Sequence, residues 1–238
     1  MRTLLLSALI FFPTLANAQF GDILKKADEA LKGRSTAGLS NDKIVAGLKQ
    51  ALQVSTGNAV ASTGRPDGFL KNAAIKILLP PKLQTVGRGM RMIGMGARVD
   101  ELEVGMNRAA EQATPQAKQI FIAAVKKMTF DDARKILSGN DTAATDYFKR
   151  TSSDDLTTAF SPIVTRAMQH VGVVEQYNRM LASAPGGSAL AGQFDLNKYV
   201  VGKALDGLFL MLGEEEKKIR KDPAAQTTAL LKEVFGKK

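Results

Sequence analysis

The residues able to do chemistry in this chain fall into a few groupings, and each has a plainer structural use beside it. Asp131-Asp132 and Asp154-Asp155 set two carboxylates side by side, and carboxylates in different surroundings can divide general acid and base work. Their spacing favours another role. Thr129-x-x-Asp132, Thr151-x-x-Asp154 and Ser152-x-x-Asp155 have the form of capping boxes, with the acids in the first turn where the helix dipole favours negative charge. The run Tyr147 to Ser153 then places two cations and three hydroxyls ahead of an expected helix start. Lys149, Arg150, Ser152 and Ser153 are thereby candidate ligands for a phosphate or carboxylate, with Asp154 and Asp155 competing for the same dipole.

From Lys71 to Arg98 there are six basic residues and no acidic one. Arg88 and Arg91 stand in its middle, on a pattern suited to an amphipathic helix lying against an anionic surface or an acidic partner; a solvated helix face is the structural alternative. Gly87 and Gly89 do not begin a dinucleotide fingerprint, because Met92 occupies the third glycine position. Met90, Met92 and Met95 bring three thioethers together, the soft ligand type that selects Cu(I), although Met90 and Met92 fall on different helix faces and methionine commonly fills core gaps. With one histidine, His170, and no cysteine, a histidine or thiolate zinc cluster is excluded. Asp206 interrupts an otherwise apolar helix beside Gly207; facing inward it needs a cationic partner, as a structural pair or as a site residue. Glu214 to Lys221 reads as a solvated face with Glu214 to Lys218 and Glu216 to Arg220 at i,i+4.

Composition sets the frame for these groupings. Residues 1–18 read as a secretory signal: Arg2, an apolar run from Leu4 to Phe12 too short to span a bilayer, and Ala16-Asn17-Ala18 as the cleavage site. Gln19 follows where a bacterial lipoprotein needs a lipid-carrying Cys, so the expected product is exported to the bacterial periplasm, soluble and not lipid-anchored. Without that segment 32 basic residues face 23 acidic ones, a net charge of +9. The absence of cysteine leaves packing alone to hold the fold. Nucleic acid is not an expected partner, given export and an aromatic content of 6% without Trp. No further transmembrane span is seen.

The elements that must position these groups are helices. Apolar residues recur mainly at helical spacing and the breaks between runs are caps, which predicts an all-α fold: a single globular domain of about nine to ten helices, with one extended segment near 75–79 closed by Pro80-Pro81. The predicted division is a signal peptide over 1–18, an N-terminal helix and linker over 19–38, and a helical domain over 39–236. Leu39-Ser40 with Ile44 forms a hydrophobic staple opening a helix with Leu48, Ala51, Leu52 and Val60 inside, ended by Gly64 to Gly68. Later helices carry Leu83, Val86, Met90 and Ile93; Val99, Leu102, Met106 and Ala110; then Phe121, Val125 and Met128. A helix capped at Thr129 stops at Gly139. A short helix follows Asp141, then a separate one from about Ser153 to Val171 bent by Pro162. Ser183 to Gly192 reads as a loop, Asp195 to Lys221 and Asp222 to Phe235 as the last two helices.

Four blocks, GRPDGFL (Gly64 to Leu70), MTFDDARKILSGNDTAATDYFKRTSSDDL (Met128 to Leu156), KALDGLF (Lys203 to Phe209) and EEEKKIRKDPAAQTTALLKEVFG (Glu214 to Gly236), resemble a bacterial family called domain of unknown function 4197. The resemblance covers about Leu39 to Gly236. It implies an exported helical domain and brings no activity, ligand, cofactor or catalytic residue with it.

The functional expectation is a non-catalytic binding module for a protein partner, an anionic envelope surface or a small ligand. Its alternative is an envelope-acting hydrolase using Asp or Glu with Tyr147, Tyr177 or Tyr199; a minor one is Cu(I) binding through the methionines. No cofactor is called for, and the sequence leaves the oligomeric state open.

Overall fold

A computed structural model describes residues 41–170, 172–183 and 194–226, and among them every regular element is helical. The described residues form eight α-helices: α1 Asn41–Gly64, α2 Pro81–Met92, α3 Gly96–Ala113, α4 Ala117–Lys127, α5 Phe130–Ser138, α6 Ala143–His170, α7 Val173–Ser183 and α8 Leu196–Lys221. Short 3-10 turns at Thr114–Gln116 and Pro223–Ala225 complete the set. The residues expected to form a signal peptide, the Leu39-Ser40 staple, the Ser183 to Gly192 loop and most of the final helix lie outside the described residues.

The described residues hold eight helices against nine to ten expected, and one merger accounts for part of the difference. The expected break before Ser153 does not exist: α6 runs unbroken from Ala143 to His170 and continues through Pro162. Thr151 and Ser152 do not cap, and neither Thr151 nor Ser153 stands at a helix start. Their hydroxyls donate to carbonyls one turn back, Thr151 to Tyr147 at 2.9 Å and Ser153 to Lys149 at 2.6 Å, the bond such residues make in mid-helix. What carries the helix through is its apolar row, Phe148, Leu156, Phe160 and Val164, with buried Ser152 standing in the same i+4 series. The Thr129 cap forms as expected: its hydroxyl accepts from the Asp132 backbone at 3.1 Å while Asp132 accepts from the Thr129 backbone, also at 3.1 Å.

α6 and α8 are the longest helices and pack on each other; α1 lies against α8, and α3 and α4 against α6. Their common core holds Phe121, Phe148 and Phe209, with ring centroids 4.9 Å apart for Phe121–Phe148 and 6.1 Å for Phe121–Phe209. Such tilted and edge contacts add to the area the rings bury.

The chain between α1 and α2 has no strand partner, and helix α3 supplies one. Glu103, Asn107 and Glu111, spaced four apart on one face of α3, bind successive backbone groups of residues 69–79. Glu111 accepts from the Phe69 and Leu70 amides, both at 3.1 Å. Asn107 accepts from the Ile77 amide at 2.9 Å and donates to the Ile77 carbonyl at 2.8 Å, and Glu103 accepts from the Leu79 amide at 3.2 Å. The extended segment expected near 75–79 is thus non-helical and tied to side chains rather than to a sheet. Asn107→Ala leaves both backbone groups of buried Ile77 without that partner, so a loss of about 2 kcal/mol is expected. Urea denaturation followed by circular dichroism measures it.

Candidate functional site

The basic stretch folds into α2 and its flanks. Pro81 opens the helix at a position where its missing amide costs nothing, and Leu83, Gly87 and Met90 turn inward toward α3. Pro81, Thr85, Arg88 and Met92 follow at i, i+4, i+7 and i+11, and all four are exposed. The helix stops at Met92, so Ile93, expected inside, leaves the helical phase and is 66% exposed; Met92 is 87% exposed. Gly94 then takes φ +81°, a left-handed turn that glycine makes without steric cost, and the chain reverses into α3.

Arg91 is held close to the body by Asp100 at 2.6 Å and lies 3.8 Å from Glu103. Arg88 donates to the Thr85 hydroxyl at 3.2 Å, and exposed Lys76 and Lys82 make no ion pair among the described residues. Arg88 and Arg91 share a hollow of about 200 Å³ beside Leu78 and Leu79. On the other side of the same two leucines lies a second hollow, about 320 Å³, reached by Lys76, Tyr199, Lys203 and Asp206. Asp206 does not face inward: it stays 71% exposed and pairs with Lys203 at 3.1 Å. Gly207 holds the inward position, because the Phe69 ring and Ile75 pack where a side chain would stand. The three methionines do not share a surface, since Met90 is buried, Met95 packs partly against the core and Met92 is in solvent.

The candidate anion ligands separate as well. Lys149 sits with its ammonium 5.8 Å from the Phe209 ring, and Ser153 spends its proton on the Lys149 carbonyl. Arg150 and Ser152 instead line a hollow of about 270 Å³ between α4 and α6, with Lys127, Asp132, Tyr147 and Asp155. The expected helix N-terminus is absent there and two carboxylates share the space, so the dipole-held anion site is replaced by a pocket of mixed charge.

Proton chemistry has poor starting groups. The Thr129 hydroxyl and backbone hold the Asp132 carboxyl below its ordinary range, the wrong direction for a general acid at neutral pH. Burial pushes the Tyr147, Tyr177 and Tyr199 phenols up, and all three stay neutral. Tyr147 donates to the Ala124 carbonyl at 3.1 Å and Tyr199 to the Leu78 carbonyl at 3.0 Å, both structural uses. The buried carboxylates Glu111 and Glu216 are saturated by backbone amides and arginines. Among the described residues no three of His, Cys, Asp and Glu stand close enough to hold a metal ion, and no helix is long and apolar enough to cross a membrane.

Sequence reasoning missed Glu103, Asn107, Glu111 and Glu216. Each falls on the buried phase of its helix, Glu216 four residues after Leu212 and three before Ile219, and that phase was the available signal.

These features define an all-α protein whose polar interior serves structure and whose notable chemistry is on its surface. The chain belongs to the family described as protein of unknown function (DUF4197), whose model matches residues 38–236. Neither the curated proteins nor the solved structures give a match.

Proposed function

We propose that this protein is a non-catalytic module that docks on an anionic lipid surface through the outer edge of α2. The observation that carries the reading is the pairing of exposed Met92 and Ile93 at the helix end with exposed cations along the helix and the segment before it. Lys82 and Arg88 lie on the helix and Lys76 just before it, with no acidic residue anywhere between Lys71 and Arg98. Interfacial helices combine these two elements: apolar side chains enter the acyl boundary while cations meet headgroup phosphates. Each cation near such a surface contributes about 1 kcal/mol, and burying the exposed parts of Ile93 and Met92 about 1–2 kcal/mol apiece. The sum supports weak, salt-sensitive binding in the millimolar to micromolar range. With the export expected from residues 1–18, the surface would be an envelope membrane facing the periplasm.

Co-sedimentation with phosphatidylglycerol-containing vesicles, against neutral phosphatidylcholine ones, tests the reading at low and high salt. The expected result is retention by anionic vesicles alone, reduced by salt. Ile93→Ser weakens it and Arg88→Glu lowers affinity by about tenfold or more, since reversing one charge removes about 2 kcal/mol. Both positions are exposed, so the helical circular dichroism stays unchanged. Equal retention on neutral vesicles, or variants that bind like the parent, would overturn it.

A further inference from the structure

Every methionine after Met1 lies within the described residues, and burial sorts them into three groups. Met90, Met106, Met128, Met168 and Met180 are buried, each at most 5% exposed. Met95 and Met211 are half-buried against the core, and the Met211 sulfur accepts from Asn72 Nδ2 at 3.5 Å. Among the described methionines Met92 alone stands in solvent, 87% exposed. The helix accounts for the contrast. At 3.6 residues per turn Met92 is set about 200° from Met90, so one thioether enters the core beneath α2 and the other leaves it.

A thioether in solvent is open to two-electron oxidants, whereas a buried one reacts only when the surrounding structure opens. With hydrogen peroxide the sulfur lone pair attacks one peroxide oxygen. The S–O bond forms as the O–O bond breaks, and the departing hydroxide takes up the proton of the transferred hydroxyl, giving sulfoxide and water. Sulfur is oxidised by two electrons and the peroxide is reduced by two. At Met92 the new oxygen meets water, so the fold loses nothing; at Met90 or Met106 it would need space and a donor inside the core. No cysteine competes for the oxidant anywhere in the chain.

Position gives this chemistry a consequence. Met92 and Ile93 form the apolar end of α2, with exposed Arg88 one turn back. We infer that Met92 is an oxidation site for a peroxide and that its sulfoxide releases α2 from the anionic surface. The sulfoxide is polar and gives up the gain of entering the acyl boundary. The release rests on the docking proposed above; the oxidation does not.

Peroxide treatment of the full chain, followed over time by tandem mass spectrometry at each methionine, tests the site. Met92 is expected to oxidise at least about tenfold faster than the buried methionines, the ratio that an opening free energy of only about 1.4 kcal/mol imposes. It also leads Met95 and Met211, and the helical circular dichroism stays constant while it reacts. Similar rates at Met92 and Met95, neighbours in sequence, would overturn the site. Retention on phosphatidylglycerol-containing vesicles tests the release: protein oxidised at Met92 binds about tenfold more weakly, and enzymatic reduction of the sulfoxide restores the original value. In Met92→Leu, retention is the same before and after peroxide. Oxidised parent that binds as tightly as untreated parent, or Met92→Leu protein that still loses binding on oxidation, would overturn the release. Untreated parent that ignores anionic vesicles would overturn the docking and the release together, and leave Met92 standing as the oxidation site.

Discussion

Glu216→Ala is expected to destabilise the protein by about 3–5 kcal/mol, the loss typical when one partner of a buried charge pair is removed. Glu216 belongs to α8 but caps α6. It accepts from the Ala144 and Thr145 amides and from the Thr145 hydroxyl, each at 2.9 Å, which satisfies donors that the first turn of α6 leaves open. On its other side it holds Arg220, at 2.9 Å to Nη2 and 3.1 Å to Nε, and the same Nη2 donates to the Ile136 carbonyl at 2.8 Å. One carboxylate therefore fixes the α5–α6 corner to α8. Removing it strands two backbone donors and takes from Arg220, whose side chain is 10% exposed, a carboxylate it binds through two nitrogens. Urea denaturation reads the total. Hydrogen exchange separates the local part, with protection of the Ala144 and Thr145 amides falling first. The double variant Glu216→Ala/Arg220→Ala should lose less than the sum of the single losses, because each single change already removes the contact the two side chains share. A loss below about 1 kcal/mol for Glu216→Ala would mean that water replaces the carboxylate.

What was legible in the sequence follows from which signals are local. The Thr129 cap was readable because a cap is decided within four residues; Asp195, expected as the first residue of its helix, stands just before it and accepts from the Lys198 amide at 2.9 Å. The same local rule misled at Thr151 and Ser152. Capping-box spacing exists there, but the apolar row from Phe148 to Val164 keeps its phase across it, and burial of that row outweighs the cap. Glu216 shows the converse error. Its i,i+4 relation to Arg220 was visible, and the pair does form, yet its setting beneath the first turn of α6 depends on residues about seventy positions away. Charge alone marked it as solvated, whereas its phase between Leu212 and Ile219 placed it inside. Asp206 and Gly207 exchange roles for a related reason: the glycine was read as an interruption, and it is the residue against which Phe69 packs. At the α4–α6 hollow, Arg150 and Ser152 were read as anion ligands ahead of a helix start, and both lie in mid-helix. Their neighbours Lys127 and Asp132 come from other helices, and only the fold brings them in.

Gly68→Ala is expected to cost at least about 3 kcal/mol, at the upper end for forcing an atom into occupied space. The turn that follows α1 closes with the Gly68 amide donating to the Arg65 carbonyl at 2.9 Å, with Asp67 at φ 66°. This return brings Gly68 against the last turn of α1. A β-carbon there would lie 2.5 Å from the carbonyl oxygens of both Ser62 and Thr63. Those atoms belong to helix backbone and cannot swing aside as a side chain end would, so the turn itself must move. Reduced freedom of the unfolded chain returns only about 0.4–1 kcal/mol. Displacement also propagates. Asp67 is clamped by Arg108 at 2.6 Å, and Lys71 and Arg108 hold its carboxyl below the ordinary range. Phe69, fully buried, donates its amide to Glu111 and presses its ring against Gly207. Shifting Gly68 therefore loosens the whole 67–79 segment from α3 and α8, and with it the Leu78–Leu79 walls of both hollows flanking α2. Thermal and urea melts measure the loss, and hydrogen exchange at the Phe69 and Ile77 amides locates it. A variant as stable as the parent, with those amides still protected, would show that the turn can open away from α1 without disturbing what it anchors.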